Sequence, residues 1–458
     1  VRGELPAVLT RPRDWVDNLA RHSPTRLTLA VFVAVIALVT TLLQLPAATA
    51  KGVRAPFVDS LFTATSAVSV TGLVTVDSAE YWSTFGRAVI MTGIMVGGLG
   101  VMTMASILAL AVSRHIGLTQ RLLAQVETKI EALGEVGTLI RAVVITSLTI
   151  TGGLAAVFIP RFLTMGFGVG ESLWHGWFMA VSTFNNAGFV ILPGGLVGHE
   201  GDPWISLPII VGTFVGAIGF PVIMSIASRL GQPRRWSLHA KLTITTSIVL
   251  WVAGSAVLGA LEWANPKTLG GLAGGKKVVA ALTAGMVPRS SGIDTVGVQD
   301  MTEASWFVQD ALMFIGGGSA STAGGIKVST LAVMVLAIIA EARGDTDIEA
   351  FGRRLDPSVV RLAIAVGVIG ATMVGAATLA LLVLTDLHLN VVLFEVISAF
   401  ATCGLSTGIT AGLPAGAKYV LVGLMFAGRA GTITLAAALA LRHRRRIIRL
   451  PKERPIIG

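Results

Sequence analysis

Charged residues vanish from long runs of this sequence, and the runs recur at regular intervals. Residues 27–50, 88–113, 142–160, 203–228, 242–261 and 362–385 contain no Asp, Glu, Lys or Arg. As a helix, each is about long enough to cross a bilayer core of roughly 30 Å. Two further apolar runs carry one cation each: residues 311–340 hold Lys327 and residues 419–441 hold Arg429. The pattern predicts eight membrane-spanning helices.

Between the members of each pair of spans lies a shorter apolar segment that ends in a polar tetrad. The four endings read TSAVSVTGL, VSTFNNAGF, GMVPRSSGI and ISAFATCGL, and without gaps they align Gly72, Gly188, Gly292 and Gly404 at intervals of 104 to 116 residues. An apolar residue follows each glycine. The segment before each glycine, such as FVDSLFTATSAV or LWHGWFMAVSTF, predicts a helix of only about 18 Å, too short to cross. Each repeat therefore reads as span, re-entrant half-helix, polar loop, span. An ordinary turn explains one such loop, but four in register with their flanking spans point to a shared architecture. Irregular backbone at membrane depth is tolerated where it is buried in protein or lines a wet cavity. The expected fold is all-α and integral to the membrane, with four repeats in pseudo-fourfold arrangement around one pore.

Composition agrees. Of 458 residues, 53% are hydrophobic and 13% charged, against roughly a quarter charged in an average soluble protein. The formal net charge of +10 does not signal nucleic acid, because the cations cluster where topology places them. Arg11, Arg13, Arg21 and Arg26 precede the first span, and further clusters follow the second, fourth, sixth and eighth. All fall on one face, which the positive-inside rule makes cytoplasmic, along with both termini. The tail LRHRRRIIRLPKER reads as a topology anchor touching anionic membrane lipid. The one cysteine, Cys403, rules out an internal disulfide framework. The first 25 residues lack the apolar core of a cleavable signal, so the first span is expected to stay in place.

The expected organisation is a cytoplasmic N-terminal segment (1–25), pore repeats at 26–113, 141–230, 237–343 and 356–442, a cytoplasmic connector (114–140) and a basic tail (443–458).

The tetrads suggest their own chemistry. A dehydrated alkali cation needs several oxygen ligands without full negative charge, which backbone carbonyls supply. Glycine allows the dihedrals that aim successive carbonyls at one axis. Small neighbours let four strands converge: Ser69, Val70 and Thr71; Asn185, Asn186 and Ala187; Ser290 and Ser291; Ala401, Thr402 and Cys403. No tetrad holds Asp or Glu, which favours a monovalent over a divalent cation. Arg289, in the third tetrad, is expected to turn away from the axis and bond carbonyls or a carboxylate such as Asp294.

These residues carry a resemblance. SVTGL, NNAGF, PRSSGI and ATCGL, with GGGSASTAGGIK and FAGRAGT later in the chain, resemble the Trk/Ktr/HKT superfamily of potassium transport proteins, most closely its Ktr-type membrane subunits. The resemblance covers nearly the whole chain; it departs at Ile293, where an aromatic residue is frequent, and at Leu405. It implies a selectivity filter with one glycine per repeat, so that carbonyls of the tetrad residues named above line the path of K+. Four intact glycines imply potassium preference, since some relatives with serine in the first repeat favour sodium. The resemblance further implies a homodimer in a bacterial inner membrane and a cytoplasmic RCK-type ring of regulatory domains. That ring, not this chain, would bind a nucleotide (ATP/ADP or NAD). No covalent cofactor is implied.

The sixth span stands apart even without the resemblance. GGGSASTAGGIK places Gly316, Gly317, Gly318, Ser319, Thr322, Gly324, Gly325 and Lys327 in its middle. Glycine costs about 1 kcal/mol per helical residue relative to alanine, so the helix is expected to break there. A broken segment in an ion path can block or withdraw, which is a gate. It is expected to be the one second helix unlike its siblings, and to act on gating rather than selectivity. A cation at bilayer depth costs about 2.5 kcal/mol or more, which makes Arg429 a candidate to hold loop carbonyls or form a barrier. Lys327 has two readings, part of the gate or snorkelling to the surface. The segment is not a phosphate loop, because Val328 follows Lys327 where Ser or Thr is required.

Other functions remain as alternatives. A less selective Na+/K+ channel or symporter fits the same architecture. A membrane-embedded hydrolase needs a catalytic set that the scattered Asp59, Glu171, Asp310 and Glu395 do not form, and the histidines show no ligand spacing. Inverted repeats of a secondary transporter fit less well than four repeats of one orientation.

Overall fold

The computed structural model describes residues 24–115 and 136–431. Almost all of the N-terminal segment, most of the connector at 114–140, the end of the eighth span and the basic tail lie outside the described residues.

Helices dominate. The first repeat comprises α1 (Pro24–Leu43), α2 (Phe57–Ser69) and α3 (Thr84–His115), and the second begins with α4 (Val136–Thr164) and α5 (Val169–Asn185). Its second span is two helices, α6 (Pro203–Ile218) and α7 (Phe220–Ala227). The third repeat comprises α8 (Leu238–Glu262), α9 (Gly274–Met286), α10 (Glu303–Phe314) and α11 (Val328–Arg343). A two-stranded hairpin, β1 (Glu349–Ala350) against β2 (Arg353–Arg354), leads into the fourth repeat. That repeat comprises α12 (Pro357–Leu384), α13 (Leu389–Phe400) and α14 (Ala415–Phe426), which continues as a π-turn at Ala427–Gly431.

Local sequence sets many of these boundaries. Side chains of Asp202, Ser237, Thr302 and Asp356 accept from the first-turn N–H groups of α6, α8, α10 and α12, the usual role of short oxygen-bearing residues at helix starts. Gly344, in the left-handed region, ends α11. The first apolar run is expected to be helical to residue 50, but α1 stops at Leu43 and a 3₁₀ turn spans Pro46–Ala48, since proline lacks the N–H needed to extend the helix.

Among the described residues, Ile140–Thr164, Leu238–Glu262 and Pro357–Leu384 are long and apolar enough to cross a membrane, and a fourth such span is formed if the bent pair α6–α7 counts as one. The bend is 97°. This corrects the expectation of a continuous helix over 203–228. Gly219 sits at the break with φ 89° and ψ 153°, a conformation nearly confined to glycine. The sixth span breaks as expected, but it is not the one interrupted second helix, because the second repeat breaks as well.

Each half-helix packs against the first helix of its own repeat: α2 on α1, α5 on α4, α9 on α8 and α13 on α12. Contacts also run from repeat to repeat. α3 meets α5, α6 meets α9, α10 meets α13, and α14 returns to α2, so the circuit of contacts closes. At that seam Lys418 of α14 pairs with Asp59 of α2 at 3.2 Å, with both side chains largely buried.

The candidate ion path: four glycine tetrads and the loop against them

The four tetrads share a backbone trace, although α9 ends at Met286, earlier before its glycine than the other half-helices. Two residues before each tetrad glycine the backbone turns left-handed, at Val70 (φ 59°), Asn186 (59°), Ser290 (83°) and Thr402 (47°). The glycines also have positive φ: 95° at Gly72, 72° at Gly188, 63° at Gly292 and 101° at Gly404. Such paired conformations reverse the chain within three residues and turn successive peptide groups away from the helix axis. Ser66 and Ser398, each six residues before its glycine, accept the N–H of Gly72 (3.0 Å) and Gly404 (3.1 Å).

The four segments touch in cyclic order. A Cβ on Gly72 would lie 2.5 Å from the Ala187 carbonyl oxygen, and one on Gly188 would lie 3.1 Å from that of Ser291. On Gly292 it would lie 2.9 Å from the Gly404 Cα, and on Gly404, 3.0 Å from the Gly72 Cα. The tetrad residues named from the sequence are thus brought together around one closed circuit. Val70, Thr71, Asn186, Ala187, Ser290, Ser291, Thr402 and Cys403 are all buried there.

Glycines of the second helices complete the packing, a signal that sequence reading missed. Gly97, Gly216 and Gly428 each abut a half-helix carbonyl four residues before a tetrad glycine: those of Val68, Phe184 and Phe400. A side chain in any of these places would overlap backbone. In the third repeat Gly316 holds the comparable place but abuts the Gly324 carbonyl of its own loop.

That loop, residues 315–327, is buried and tied down rather than loose. Its neck is closed by Gly316 N–H donating to the Ile326 carbonyl (2.9 Å) and Ile326 N–H to that of Phe314 (3.3 Å). One side clamps the break between α6 and α7: Gly318 N–H donates to Ala217 (2.7 Å), Thr322 N–H to Gly216 (3.2 Å), and Phe220 N–H to Ala320 (3.2 Å). Ser319 and Ser329 hydroxyls lie 3.2 Å apart. The other side meets the tetrads directly. Asn186 Nδ2 donates to Thr322 Oγ1 (2.9 Å), Gly324 N–H donates to Ser290 Oγ (3.0 Å), and Gly324 and Gly325 abut Ala401.

The cations fall into place with it. Arg429, buried in the π-turn, donates from Nη1 to the Thr322 carbonyl of the loop. Lys327 Nζ donates to the Ala323 carbonyl at 2.6 Å, so it turns into the loop instead of snorkelling. Arg289 turns to α8, donating to the Ser247 carbonyl (2.6 Å) and Oγ (3.1 Å). Asp294 is not its partner. That carboxylate accepts the N–H groups of Val296, Gly297 and Val298 at 2.9–3.1 Å, because the short Asp side chain reaches its own turn first.

A helical membrane bundle whose half-helices converge on a closed set of backbone carbonyls belongs to the class of ion-transport proteins. Comparison with known families makes this specific: the family model described as "TrkH: Cation transport protein" matches residues 11–446, and the chain belongs to that family. It is 34% identical to Ktr system potassium uptake protein B of Bacillus subtilis (strain 168), over 94% of this chain and 96% of that protein. It is 31% identical to potassium/sodium uptake protein NtpJ of Enterococcus hirae, over 93% and 94% of the two chains. The crystal structure of the potassium transporter TrkH from Vibrio parahaemolyticus shares the fold, with a TM-score of 0.72 at 18% identity, over 90% of this chain and 84% of that one.

Proposed function

We propose that this chain is the ion-conducting membrane subunit of a potassium uptake system, with its four tetrads forming a single pseudo-fourfold filter. The observation that carries the reading is the cyclic contact of Gly72, Gly188, Gly292 and Gly404. Each glycine lies against a backbone carbonyl of the next tetrad, and in this reading those uncharged oxygens face a common centre, the ligand type that replaces the hydration shell of a monovalent cation and still lets it leave. Three half-helices run to the edge of their tetrads and α9 stops short, at Met286, so their partial negative ends favour a cation nearby. The family and the names of its relatives support potassium as cargo.

The loop at 315–327 is the gate in this reading. It packs against the tetrads and is held by Arg429, so its displacement would open the path. The N-terminal segment, connector and tail face the cytoplasm, where an RCK-type ring binds nucleotide and drives the loop, and two copies of the chain pair in the membrane. The word "system" in the relatives' names supports a multi-component assembly. Sodium as a second cargo is supported by the name of the Enterococcus relative.

Expression in bacteria stripped of their own potassium uptake tests the reading. The chain, co-expressed with its cytoplasmic ring, is expected to restore growth at low external potassium. Membrane-inserted protein that gives no growth and no potassium accumulation would count against it.

A further inference from the structure

The left-handed residue of each tetrad is not chemically equivalent across the repeats. In the first it is Val70, which has no polar side chain. In the others it is Asn186, Ser290 and Thr402, and all three side chains lie against the loop. Ser290 Oγ accepts the Gly324 N–H at 3.0 Å and sits 3.2 Å from the Thr402 carbonyl oxygen, to which it donates. A serine hydroxyl has one proton, so a single chain of bonds runs from the loop backbone through Ser290 to a carbonyl of the fourth tetrad. Asn186 provides a second tie, from the second tetrad to Thr322, whose hydroxyl donates onward to the Phe184 carbonyl at 3.3 Å.

Resting on the conduction reading above, we infer that Ser290 and Asn186 are positioning residues through which the loop sets filter geometry, so that ion selectivity depends on how the loop is seated. While the loop is in place, the Thr402 carbonyl is shared between the Ser290 hydroxyl and the ion path. When the loop withdraws, Ser290 loses its N–H donor and Asn186 its acceptor. The carbonyl then relaxes, and potassium and sodium are discriminated differently. Loop and filter are therefore one coupled device, against the expectation that the loop acts on gating alone.

The test is the potassium-to-sodium flux ratio of purified protein in liposomes, for wild type, Ser290→Ala, Ser290→Thr and Thr322→Val. Ser290→Ala and Thr322→Val each remove two of these hydrogen bonds, and each is expected to change the ratio about fivefold or more. Ser290→Thr keeps the hydroxyl, and threonine already occupies the matching left-handed position at Thr402, so it is expected to shift the ratio less than Ser290→Ala does. Thr322→Val is nearly isosteric and lies on the loop, so it serves if Ser290→Ala fails to fold. A wild-type ratio at altered total flux in Thr322→Val or Ser290→Ala overturns the inference, and so does loss of all flux in intact protein of both. Absence of potassium flux in the wild type would instead overturn the conduction reading.

Discussion

Two independent constraints hold glycine at position 404. Its φ of 101° is a conformation that side chains rarely adopt, and the space a Cβ needs is taken by the Thr71 carbonyl and the Gly72 Cα. Strain of this kind costs about 1–3 kcal/mol per site, and overlap with backbone cannot be relieved by a rotamer change. Gly404→Ala is therefore expected to lower potassium flux by about tenfold or more, the equivalent of about 1.4 kcal/mol, while the protein still inserts. Wild-type flux in that variant would remove the tetrad glycines from the ion path. These glycines were legible in the sequence because a fourfold repeat aligns them without any knowledge of contacts. The partner of Arg289 was not, because a long side chain chooses among groups that only tertiary packing brings near; Ser247 is 42 residues away. The same holds for Asn186 and Thr322, which are 136 residues apart.

At the scale of elements, hydropathy placed the first two half-helices, at 57–68 and 173–184, within four residues of their bounds at Phe57–Ser69 and Val169–Asn185. It did not give the break between α6 and α7. Gly219 is one of three glycines in that run; each costs only about 1 kcal/mol within a helix and leaves the apolar pattern unchanged. The signal that could have found it is Pro221, two residues on, because proline fits best in the first turn of a new helix. At Gly219 a Cβ would lie 2.5 Å from the Ser319 carbonyl oxygen and 3.0 Å from that of Ala320. Gly219→Ala should therefore push the loop from its seat. A lower melting temperature in detergent is expected, together with altered flux, from strain of about 1–3 kcal/mol. Unchanged melting and flux would show that the break does not fix the loop.

Over the whole molecule, four units of one chain close into a circuit, and the last contact joins residues far apart in sequence. Asp59 and Lys418 bridge that seam with little exposure to solvent, 17% and 12% of their side chains. Removing one partner leaves the other charge buried and unpaired, which costs more than removing both. Asp59→Asn and Lys418→Met are each expected to destabilise the protein in thermal unfolding, and the double variant to lose less than the two combined, with a coupling of about 1 kcal/mol or more. Additive losses would mean that the pair does not secure the closure.

The closed circuit of tetrads is expected to conduct potassium in preference to sodium. The direct measurement is ion flux through the purified protein in liposomes loaded with potassium, sodium or choline, with and without the cytoplasmic nucleotide-binding ring. Potassium flux well above sodium, with none for choline, is the predicted result. Equal potassium and sodium flux would contradict a potassium filter, and no cation flux even with the ring present would contradict conduction itself.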